Sequence, residues 1–208
     1  FFRARVIFPI QNLTGRVIGF GGRTLRSDKK TAKYFNSPES EIYKKSFVLY
    51  GLFQAKNAII KQDNCFLVEG YTDVISLNQA GIENVVSSSG TSLTEGQIRL
   101  IKRFTKNITI LFDGDSAGIK ASFRGIDLIL KEGLNVQVVL FPEGEDPDSY
   151  AQNESSSVFK AFLEENKKGL IKFKSEILLS ETKNDPIKKA ETIREIVQSI
   201  AVIPDQIK

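Results

Sequence analysis

Between Leu52 and Phe141 short apolar runs alternate with helical stretches, and few folds accommodate that rhythm. Leu52 to Gln62 reads as a helix, Asn64 to Glu69 as a short buried strand, and Thr72 to Ala80 as a helix closed by Gly81. Asn84 to Ser87 follows as a strand, then Thr94 to Phe104 as a helix with Thr94 at its N-cap. Asn107 to Phe112 is a strand, Ser116 to Lys131 a helix ending at Gly133, and Asn135 to Phe141 another strand. Strands separated by helices require crossovers, which predicts an α/β fold with a mostly parallel sheet covered on both faces.

The flanks differ. Arg5 to Ile10 and Arg16 to Phe20 read as strands of a hairpin around Gln11 to Gly15. Gly19, Gly21 and Gly22 point to bulging or to close backbone approach. Thr24 to Lys45 is polar and irregular, with Asn36-Ser-Pro-Glu39 as a turn, and is expected to be a long functional loop. Beyond Pro147 helical patterns cover about Ser157 to Glu165, Leu170 to Leu179 and Pro186 to Val202, with no further strand expected. The expected units are a β-rich segment over 1–50, the α/β domain over 51–152 and a helical appendage over 153–208.

Composition removes several chemistries. The 208 residues contain no histidine and one cysteine, Cys65. That rules out His-dependent triads, His-ligated zinc and an internal disulfide. Cys65 sits in the apolar run Cys65-Phe-Leu-Val68 and reads as a core thiol. A bound metal must therefore be held by oxygen, which selects Mg²⁺, Mn²⁺ or Ca²⁺. Net charge is +4, and the basic residues crowd the first third: Arg3, Arg5, Arg16, Arg23, Arg26, Lys29, Lys30, Lys33, Lys44, Lys45, Lys56 and Lys61. A basic surface beside an acidic pocket suits an enzyme acting on a polyanion. No run is long enough to cross a bilayer, and Phe-Phe-Arg-Ala-Arg at the start is no secretory leader. The chain opens without Met inside a strand-like pattern and is expected to be a piece of a longer protein.

Carboxylates stand at three successive strand ends, where open α/β sheets place their ligands. Glu69 ends the first strand and Asp73 follows one helical turn later. Asp113 and Asp115 close Ile108 to Phe112, and residues two apart in extended backbone project to one side. Gly114 between them leaves room for a ligand or metal. Asp146-Pro-Asp148 follows the last strand. Each cluster alone has a plainer explanation: a surface turn at Glu69-Gly70, a solvated turn or helix cap at Asp113-Gly-Asp115, a turn into a helix at Ser149. Together, six converging carboxylates would repel one another without a cation, and divalent ions held so orient phosphates and activate hydroxyls. Ser87-Ser-Ser-Gly-Thr91 either cradles a phosphate or is a plain loop.

With these residues assembled, the chain resembles bacterial DnaG-type DNA primases, specifically their Toprim-containing catalytic core. Glu69, Asp113 and Asp115 match the general Toprim signature. Phe8-Pro-Ile10, Gly15 to Arg23, Lys33-Tyr-Phe-Asn-Ser-Pro-Glu39, Leu49-Tyr-Gly-Leu52, Val68 to Val74 and Gly144 to Asp148 resemble primase motifs over residues 2 to 150. The departures are Phe35 where Leu is common, and Ser87-Ser88-Ser89 in place of an Ala-Ser pair.

The resemblance implies a Toprim fold and template-directed synthesis of short RNA primers on single-stranded DNA, a nucleotidyl transfer from ribonucleoside triphosphates. It implies Glu69, Asp113 and Asp115 as catalytic, and Glu69, Asp73, Asp113, Asp115, Asp146 and Asp148 as ligands of Mg²⁺ or Mn²⁺. Arg23, Lys33, Tyr34, Asn36 and Lys45 match a basic ridge that contacts DNA or nucleotide. A zinc module and a domain engaging the replicative helicase belong to the family but not to these residues. A monomer at the replication fork in the bacterial cytoplasm, away from membranes, is expected. A Toprim nuclease and a Toprim DNA-binding module without turnover are the other readings.

Overall fold

The computed structural model describes residues 2–26, 32–90, 92–114, 116–182 and 185–204, without the side chains of 116–122, 124 and 181. Two sheets organise the chain. The first is antiparallel: β1 (Arg5–Gln11), β2 (Val17–Thr24) and β3 (Tyr34–Asn36), with β2 in the middle. The Asn12 side chain builds the hairpin turn, its Oδ1 accepting the N–H groups of Thr14 and Arg16 at 3.0 Å each. The expected loop over Thr24 to Lys45 is therefore not wholly irregular. Tyr34–Asn36 is too short to show as a strand, yet it pairs with Gly21, Gly22 and Arg23.

The second sheet has the order β5-β4-β6-β7-β8. Here β4 is Cys65–Val68, β5 Val85–Ser87, β6 Asn107–Phe112, β7 Asn135–Leu140 and β8 Lys168–Gly169. The first four are mutually parallel and β8 is antiparallel to β7. This β8 corrects the expectation that no strand follows Pro147: two residues between helices carry no periodicity to read. Residue alternation sends Leu67, Ile108, Ile110, Val136 and Val138 to one face, against α1 (Leu52–Gln62), α3 (Glu95–Lys102), α4 (Ser116–Lys131) and α7 (Leu170–Glu181). Phe66, Val68, Leu111 and Val139 face the other way, toward α2 (Tyr71–Gln79) and α6 (Ser156–Asn166). A short α5 (Pro147–Asn153) packs beside α2, and α8 (Pro186–Ala201) lies on α7. Residues in β4 and β5 are all buried, as a sheet covered on both faces demands.

The two sheets meet through aromatic packing. Phe8, Ile10, Tyr43 and Tyr71 form a separate core, with Tyr71 stacked on Phe8 at 4.9 Å and edge-on to Tyr50 at 4.7 Å. A Cβ at Gly21 would lie 2.5 Å from the Tyr71 ring, so only glycine lets β2 approach this closely. Among the described residues no helix is long and apolar enough to cross a membrane.

Candidate acidic and nucleic-acid site

Because β4, β6 and β7 run parallel, their carboxyl ends fall on one edge, and the chain after each bears an acidic residue. Glu69 leaves β4 and is exposed. Its backbone oxygen is held by Ser87 Oγ at 2.8 Å and by the Gly90 N–H at 3.3 Å. Asp73, in the first turn of α2, folds back so that its Oδ2 accepts the Gly70 N–H at 2.8 Å. Asp113 leaves β6. Asp146 caps α5, accepting the Ser149 N–H at 2.7 Å, and Asp148 Oδ1 accepts from Ser76 Oγ and Gln152 Nε2 at 2.5 Å each.

Glu69, Asp73, Asp113, Asp146 and Asp148 line one cavity of about 300 Å³ together with Arg23, Lys33 and Tyr34. Asp115 lies outside the described residues. Burial pushes the Asp73 carboxyl up to about 6, opposed by its bond from Gly70; Asp146, Asp148 and Glu69 add repulsion. Oxygen-only donors crowded this way fit a hard divalent cation. They do not form a closed cage: among the described residues no three acidic side chains are gathered tightly enough to chelate an ion as they stand.

Gly114 lines an open cavity with Asp113 and Asp146, but its missing Cβ is required by the chain and not by a ligand. A Cβ there would fall 1.9 Å from the Pro142 oxygen, and the Gly114 N–H donates to the Glu145 oxygen at 2.9 Å. Its bareness serves the contact between the β6 and β7 ends. In the Ser87 to Gly90 loop the Ser89 N–H donates to Ser87 Oγ and the Gly90 N–H to the Glu69 oxygen, so the loop steadies Glu69, and Ser89 and Gly90 line the acidic cavity; Thr91 lies outside the described residues.

On the basic side, Arg23 and Lys33 each lie 5.9 Å from the Tyr34 ring centre, one cation on a neighbouring strand and one beside it in sequence. Asn36 is committed differently: it accepts from the Tyr71 hydroxyl at 2.8 Å and donates to the Ser89 oxygen at 3.2 Å. Lys45 lines a neighbouring small cavity with Asn36, Ser88 and Ser89. Not every cation of the first third belongs to a ridge. Arg5 donates to the carbonyls of Gly22, Ala32 and Lys33, and Lys56 to that of Leu13. Lys29 and Lys30 lie outside the described residues. Nothing in the sequence marks Tyr71, Ser76 or Gln152 as site residues, apart from the glycine-rich β2 opposite Tyr71.

Comparison with known proteins decides the lineage. Residues 1–56 match a family model described as DNA primase catalytic core, N-terminal domain, and residues 66–151 one described as Toprim-like. A DNA primase of Halalkalibacterium halodurans is 49% identical over 83% of this chain and 28% of its own length. The crystal structure of a DNA primase domain from Pseudomonas aeruginosa superposes with a TM-score of 0.87 at 38% identity, covering 98% of this chain and 64% of that one. The chain belongs to the bacterial DnaG-type DNA primases. A DnaG primase catalytic domain bound to single-stranded DNA is likewise similar, with TM-score 0.85, 36% identity, and 99% and 66% coverage. The chain thus spans roughly a third or less of that curated primase and about two thirds of those solved primase domains. The primase match ends within α1 and the Toprim-like match begins in β4, so the first covers the antiparallel sheet and the second the parallel strands.

Proposed function

We propose that this chain supplies the nucleotidyl-transfer centre of a DNA primase, which makes short RNA primers de novo on single-stranded DNA. The observation that carries this reading is the single cavity lined by both the acidic strand ends and the Arg23–Tyr34–Lys33 group. A nuclease needs the acids; a polymerase also needs a place beside them for template and nucleotide. The similarity to a DnaG domain bound to single-stranded DNA supports the same choice.

Residues 1–50 then form the basic ridge, 51–152 the metal-binding domain and 153–208 a helical subdomain. Glu69, Asp73, Asp113, Asp115, Asp146 and Asp148 would hold Mg²⁺ or Mn²⁺, which would supply charge to offset a triphosphate and lower the pKa of a primer 3′-hydroxyl. Arg23, Lys33 and Lys45 grip phosphates, a contact weakened by salt, and Tyr34 offers a ring face to a base. Asn36 acts by holding β3 against the Tyr71 hydroxyl and the Ser89 backbone oxygen. Glu69 stands nearest the solvent of the β4 end and is the candidate acid/base group. Ribonucleoside triphosphates and single-stranded DNA are the substrates, and a replicative helicase engages the protein elsewhere.

The test is template-directed primer synthesis by the intact protein, wild type beside Glu69→Gln. Labelled RNA primers from the wild type and none from the variant are expected. Shortening of the template strand without primers would transfer the assignment to a nuclease.

A further inference from the structure

Helix α3 belongs to neither the acidic edge nor the basic sheet, yet its first turn holds the segment that carries Lys45. Gln97 is a fully buried polar side chain. Its Nε2 donates to the Lys45 oxygen at 3.1 Å and to the Val48 oxygen at 2.9 Å, while its Oε1 accepts the Thr94 N–H at 3.1 Å. Thr94 Oγ1 donates to the Ser46 oxygen at 2.6 Å. Three carbonyls of one short stretch, those of Lys45, Ser46 and Val48, are thus fastened to one helix end. Gly96 completes the seat, since a Cβ there would lie 2.5 Å from the Ser46 oxygen. The stretch is a single 3₁₀ turn, Lys45–Phe47, with none of its residues buried. A turn this short has few bonds of its own to fix it. On the other side the Lys45 N–H donates to Glu39 Oε1 at 3.0 Å.

We propose that Gln97 is a positioning residue for nucleic-acid binding: its buried carboxamide fixes the Lys45–Phe47 turn and so aims Lys45 at the phosphates. A lysine side chain is long and flexible, so where its ammonium can go is decided by where its backbone is held. This inference rests on Lys45 being a phosphate contact. The ordinary alternative is that Gln97 serves only the stability of the turn.

The test reads the affinity of the 208-residue chain for fluorescent single-stranded DNA across a salt series, in a cycle of Lys45→Ala, Gln97→Leu and the pair. Lys45→Ala is expected to lower the salt slope by about 0.7, one phosphate contact on a single strand. Gln97→Leu should lower it by the same amount, and the pair should be no worse than either alone. Mn²⁺ affinity, followed by calorimetry, should not change in Gln97→Leu. Should Gln97→Leu unfold by circular dichroism, Thr94→Ala, which removes the bond to Ser46 and the cap on the Gln97 N–H but keeps the Gln97 carboxamide, enters the same cycle with a smaller loss expected. A full slope in the folded α3 variant, or losses that add to those of Lys45→Ala, would overturn the inference alone. An unaltered slope in Lys45→Ala itself would remove Lys45 from the ridge and the inference with it.

Discussion

The acidic edge and the basic sheet reach the same cavity but are held in place by different means. The acids follow parallel strands whose apolar residues are mostly sealed between two helical layers, so the hydrophobic core fixes where each strand ends. The three-stranded sheet has no second layer among the described residues: Val6, Val17 and Phe20 are more than two-fifths exposed. It is tied to the acidic domain by the small core around Tyr71 and by specific contacts, among them the Tyr71 ring beneath Gly21 and the Tyr71–Asn36–Ser89 bonds, while the α3 clasp holds Lys45 in the segment that follows. Bulk burial makes one half of the site, and directional contacts orient the other half against it. Substitutions in the two halves should therefore fail in different ways.

The largest effect is expected at Gly114→Ala. Its Cβ has no space against Pro142, so the β6 and β7 ends must separate, at a cost of roughly 3 kcal/mol. Urea unfolding should report that loss, and Mn²⁺ binding should weaken with it. Gly21→Ala comes next, at about 2 kcal/mol, because the Tyr71 ring must give way. Here DNA affinity should fall while Mn²⁺ binding stays nearly intact; equal damage to both would erase the distinction between the halves. Tyr71→Phe keeps the ring packing and deletes the hydroxyl's bonds to Asn36 and Ser89, so a loss of about 1 kcal/mol is expected. Smallest in stability terms is Arg23→Ala, whose unfolding midpoint should not move although the salt slope of single-stranded DNA binding drops by about 0.7. A stability loss there would mean that Arg23 holds the sheet together.

The halves also differed in how far they could be read from the sequence. Leu52–Gln62, Asn107–Phe112 and Ser116–Lys131 carry their own periodicity and end signals, and the helix and strand bounds there coincide with the expectation. The strand-end position of the acids followed from that alternation. Tyr34–Asn36 could not be recognised, because its strand character comes from pairing with Gly21 to Arg23, a contact remote in sequence. Asn36 was legible as a ridge residue by resemblance, but its bonds to Tyr71 and Ser89 depend on how the two sheets meet. At Asp146 both readings have a footing: the side chain caps α5 and also lines the acidic cavity. At Gly114 nothing local in the sequence reveals that Pro142 takes the place of the missing Cβ, although the residue does line an open cavity.

Whether a cation and the basic ridge share one cavity can be measured as a distance. Lys33→Cys gives an exposed thiol for a nitroxide label, and Cys65 does not compete, being buried with its thiol pushed well above the ordinary range. Mn²⁺ is then titrated into the labelled protein and the nitroxide spectrum followed. Strong loss of nitroxide signal in step with Mn²⁺ binding, abolished by Asp73→Asn combined with Asp113→Asn, is the expected result. Full Mn²⁺ binding with an unchanged nitroxide spectrum would contradict a shared site.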